Sequence, residues 1–155
     1  MTSYSYTAEN IPQSIMKTIL EDHWTQFSEC PKPTIVVVND PDDVVARINT
    51  RDGDFLTIKQ EGAEVVTYRG NITYYDRILP MTLDIFTMTS RQRLRDIWKQ
   101  IKVIIFDKKH SGAQEMGYQL IRLGSYTEMV NESNNIWRGT IKLQVEAHGV
   151  LCDTF

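Results

Sequence analysis

An α+β domain, with a mainly antiparallel sheet and two main helices packed on one face, is the architecture this sequence predicts. Three observations predict it. Two segments, one near the N-terminus and one beginning at about residue 90, carry apolar residues at helical spacing. The extended, β-branched or alternating segments cluster between and after those helices and do not alternate with them one for one, which separates α+β from α/β order. The last extended segment, residues 137–147, alternates strictly between apolar and polar positions. The order is helix, several strands, helix, two strands.

Residues 1–10 are polar with two tyrosines and read as a loosely held arm ahead of a single domain over 11–155. Asn10 with Gln13 makes a capping-box-like start, and Pro12 suits a first helical turn. Ile11, Ile15, Ile19 and Trp24 then share one face, joined by Met16, Leu20 and Phe27, until "CPKP" stops the helix. "TIVVV" (34–38) is continuous and β-branched, which predicts a strand buried on both faces. "NDPDD" reads as a turn, "VVARI" as a short strand or a loop edge, and "TRDGD" as a turn. "FLTIKQ" alternates and is a strand, "EGAE" is a turn, and "VVTYRG" is a further strand. "NITYYDRILPMTLDIFTM" is a long extended segment in which Pro80 predicts an edge, a bulge or a bend.

The second helix has two candidate caps: Thr89, paired with Gln92 as a capping box, and Ser90. Leu94, Ile97, Trp98, Ile101, Ile104 and Ile105 follow the i, i+3, i+4, i+7 pattern and should pack on Ile141, Leu143 and Val145. "DKKHSGAQEMG" reads as a loop, "YQLIRLGSY" as a strand and "NESNN" as a turn. The last strand sends Trp137, Ile141, Leu143, Val145 and Ala147 one way, and Thr140, Lys142, Gln144, Glu146 and His148 the other.

With 155 residues the chain can bury a core without disulfides or metals, and 41% hydrophobic and 24% charged residues are globular values. The net charge of −3 gives the whole protein no pull on nucleic acid or an anionic membrane. No apolar run approaches the ~18 residues of a membrane helix, and the N-terminus lacks the basic start and apolar core of a signal peptide, so synthesis and assembly in the cytosol are expected. Cys30 and Cys152 lie near opposite ends without metal-ligand spacing, and two reduced thiols are expected in preference to one long-range disulfide.

Chemistry-bearing motifs are scarce. The sequence has no glycine-rich phosphate loop, no GxSxG and no HExxH, and His23, His110 and His148 are far apart. Pro41-Asp42 with Asp107-Lys108-Lys109 imitates a nuclease pattern in which two carboxylates and a lysine surround a water-activating divalent ion. The spacing is long, however, and the second part follows a helix, so two solvated loops explain it better. Asp40, Asp42 and Asp43 lack the alternation, glycine and terminal Glu of a calcium loop, and turn chemistry accounts for them. No catalytic, cofactor-binding or metal-binding residue is therefore assigned, and the chain is not expected to be an enzyme.

Charge is segregated. Residues 91–110 hold seven Lys or Arg and two Asp, net +5, whereas the rest holds ten against eighteen acids, net −8. A solvated helix face, a complementary protein surface and a nucleic-acid surface are the possible readings. A duplex binder would be basic overall, and a single-strand platform would interleave aromatic with basic residues along the sequence, which this segment does not do. In a self-associating protein, Arg91, Arg93, Arg95 and Lys99 of one copy can meet Asp40, Asp42 and Asp43 of the next, a head-to-tail contact able to close into a ring.

"PMTLDIFTMTSRQRLRDIWKQIKVII" resembles the strand-then-helix centre of tail terminator and neck (head–tail joining) proteins of tailed viruses. "MGYQLIRLGSYTEMVNESNNIWRGTIKLQVEAHGV" is similar to their closing strands, and "ENIPQSIMKTILEDHW" to their first helix. The resemblance implies a non-catalytic virion protein, assembled in the host cytoplasm. It implies a homo-oligomeric ring, typically six-fold, that caps the tail tube, joins it to the head connector and lets DNA pass through its central channel. The region 40–75 and the tyrosine-bearing arm depart from the pattern and leave open whether the chain is the terminator or an adjacent neck component. The alternatives are a nucleic-acid-associated module using the basic helix 91–109 and, behind it, a metal-dependent nuclease.

Overall fold

The computed structural model describes residues 12–24, 30–38, 53–69, 74–131 and 136–150. Helix α1 (Pro12–His23) is followed by β1 (Thr34–Val37), β2 (Phe55–Gln60), β3 (Val65–Arg69) and β4 (Tyr74–Thr87). Helix α2 (Arg91–Lys108), a short helix α3 (Ser111–Glu115), β5 (Leu120–Asn131) and β6 (Ile136–Val150) follow. One six-stranded sheet runs β1-β2-β4-β6-β5, with β3 also paired to β4. Among the described residues β1 and β2 pair in parallel and the other pairs are antiparallel.

The alternation of β6 decides which face is covered. Ile141, Leu143 and Val145 register with Leu83, Met81 and Leu79 of β4, and Ile58 and Leu56 of β2 continue the same face. Against it pack Ile15, Met16, Ile19 and Leu20 of α1, Leu94, Ile97, Ile101, Ile104 and Ile105 of α2, and Ala113 of α3, as one buried cluster. Both main helices therefore lie on one face, as their stripes predict. Gln100 is the polar residue buried in the α2 stripe, and its side-chain amide donates to the Trp24 carbonyl at 2.6 Å. On the opposite face, which no helix covers among the described residues, buried Asp84 pairs with Arg138 at 3.2 Å and accepts from Thr140 Oγ1 at 2.7 Å, and buried Glu146 pairs with Arg122 at 2.8 Å.

The "TIVVV" run holds as a strand buried on both faces, with Ile35 in the helix-covered core and Val36 and Val38 buried on the other side, although β1 pairs only with β2 among the described residues. Several other sequence expectations change. "EGAE" does not reverse the chain: β2 and β3 are both antiparallel to β4 and so run the same way. They form one broken line, interrupted opposite Leu79 and Pro80. Pro80 sits inside the longest pairing in the sheet, and its carbonyl accepts from Glu61 N at 3.0 Å. A strand residue points its N and C=O to the same side, so the missing N–H of Pro80 falls in this gap and costs no ladder bond. "DKKHSGAQEMG" contains α3 where a loop is expected. Ser90 is the cap of α2, accepting from Arg93 N at 3.1 Å. The Asn10 cap, Ile11, Phe27, the 39–52 turns, Cys152 and the arm lie outside the described residues.

Candidate assembly surface

The start of α2 sorts its three arginines by helical angle. Arg91 and Arg95 are four apart and share a face, whereas Arg93 points elsewhere. Glu128 on β5 accepts from Arg95 Nε at 3.0 Å and lies 3.4 Å from Arg91 Nε. The Arg95 hydrogen bond holds the Glu128 carboxyl below the usual carboxylate range; burial opposes it, and the Tyr126 hydroxyl, donating at 3.2 Å, adds to it. Burial first, and then the Glu128 charge, push the Tyr126 hydroxyl well above its usual value.

Around this pair runs a seam of rings and cations from three elements. Trp98 and Tyr126 stack at 4.8 Å with 13° between their planes. Lys102 lies over the Trp98 ring at 5.1 Å, and Arg91 over Trp137 at 5.0 Å. Gly139 makes room for the stack: a Cβ there would lie 2.8 Å from the Tyr126 ring. Aromatic and basic residues do interleave here, contrary to the reading along the sequence. The ring faces are nonetheless covered by one another, by cations and by backbone, which leaves little aromatic surface for a base to stack on.

Arg93 is an internal tie. Its Nε donates to Asp54 Oδ2 at 2.7 Å, Nη1 to Cys30 Sγ at 3.0 Å and Nη2 to the Pro31 carbonyl at 2.6 Å. Thr87 Oγ1 donates to the other Asp54 oxygen at 2.6 Å. Both side chains are mostly buried, 14% and 15% exposed. Burial works against the guanidinium charge, and Asp54 outweighs it, so Arg93 sits above its ordinary pKa. Lys99 is exposed, makes no ion pair among the described residues, and borders a cavity of about 410 Å³ beside Cys30, Pro31 and Val103. Asp40, Asp42 and Asp43 lie outside the described residues. Three of the four candidate cations are thus engaged within their own chain, and Lys99 is the one with no ion pair among the described residues.

Two apolar surfaces escape a periodicity reading. One is a groove of about 270 Å³ between the end of α2 and β5, lined by Ile105, Phe106, Leu120 and Leu123 with Lys109 and Arg122 at its rim. Phe106 is 65% exposed. The other is β3, where Val65, Val66 and Tyr68 are 54%, 43% and 56% exposed. The signals were present: Phe106 lies off the apolar stripe of α2, and "VV" puts an apolar residue on each face of β3. Among the described residues no group of three or more His, Cys, Asp or Glu could hold a metal ion. No helix among them is long and apolar enough to cross a membrane.

No family model and no curated protein matches the chain. Among solved structures, a chain described as "Virion of native gene transfer agent (GTA) particle" is similar in fold, with a TM-score of 0.51 at 10% identity. The match covers 94% of this chain and 100% of that one, so the shared fold takes in both helices and the sheet.

Proposed function

We propose that this protein is a structural subunit of a virion, of the tail terminator or neck type, and that it assembles into a closed homo-oligomeric ring, six-fold in its commonest form. The ring caps the tail tube, joins it to the head connector and surrounds the passing DNA. The observation that carries the reading is the end-to-end likeness in fold to a chain of a gene transfer agent virion. The resemblance of the 80–105 and 116–150 segments to terminator and neck proteins supports it independently. So does a surface with two apolar areas exposed on a lone chain.

Native mass spectrometry of the purified full chain, with negative-stain imaging, tests the proposal. A closed oligomer with a central hole is expected. A monomer over a wide concentration range, binding duplex DNA with an affinity that falls steeply with salt, would replace the ring by the nucleic-acid reading.

A further inference from the structure

We draw no further inference here: the strongest candidate, the apolar groove of about 270 Å³ between the end of α2 and β5, lined in part by exposed Phe106, carries nothing because nothing in the structure shows what covers it.

Discussion

Glu128 is the residue on which the α2–β5 seam turns, because one carboxylate answers Arg91, Arg95 and the Tyr126 hydroxyl together. Its pKa is lowered in the fold, so the stabilisation it provides is fully present above the unfolded value of about 4.3 and is lost as pH falls through the folded value. Both arginines are about half exposed, which limits the gain to roughly 1 kcal/mol. Glu128→Gln should therefore lower stability by about that amount at pH 7, with the gap to the unmodified protein closing toward pH 3. Urea unfolding at several pH values reads this directly, and a gap independent of pH would mean that the ion pairs contribute nothing. Arg93 and Asp54 differ in kind. Together they pin the start of α2 to the chain on either side of β1.

At the scale of elements, the apolar stripe of α2 makes the firmest forecast. Ile101 is fully buried in the core, and Ile101→Ala should cost about 2–5 kcal/mol through lost packing and the cavity left behind. Thermal and denaturant unfolding measure it, and a loss below about 0.5 kcal/mol would place the helix on the wrong face. This stripe, the alternation of β6, the α1 face and the positions of β2, β4 and β5 were all legible, because each is a local repeat in one segment. What was not legible depends on partners distant in sequence. The continuous run of β1 was legible as a strand buried on both faces, but its parallel pairing with β2, across the 39–52 segment, was not. Gly62 and its neighbours read as a reversal, because sequence shows a break in a strand but not the register of β4 beyond it. Pro80 was readable as a fault in pairing, but its placement opposite that break was not. The candidate site was legible only in part. Arg91, Arg93 and Arg95 stand out as a basic run, while Glu128 and Asp54, which engage them, lie 33 to 39 residues away.

For the molecule as a whole, the question is which positive charge on α2 is available to another copy. Arg91 and Arg95 are held by Glu128, so reversing them acts first on the fold: Arg91→Glu with Arg95→Glu sets two further carboxylates beside Glu128. That variant should lose about 1–3 kcal/mol of stability, and any loss of assembly would follow from the damaged chain. Lys99 is different, since it is exposed and makes no ion pair among the described residues. If α2 faces an acidic surface of a neighbouring copy, Lys99→Glu should leave stability within about 0.5 kcal/mol and still weaken the ring. The defect should be largest at low salt and fade near 1 M, where the Debye length falls to about 3 Å and like charges no longer sense one another. Sedimentation velocity of both variants at two salt concentrations, beside urea unfolding of each, separates the effects. A Lys99→Glu ring as tight as the unmodified one at low salt would show that this part of α2 faces solvent in the assembly.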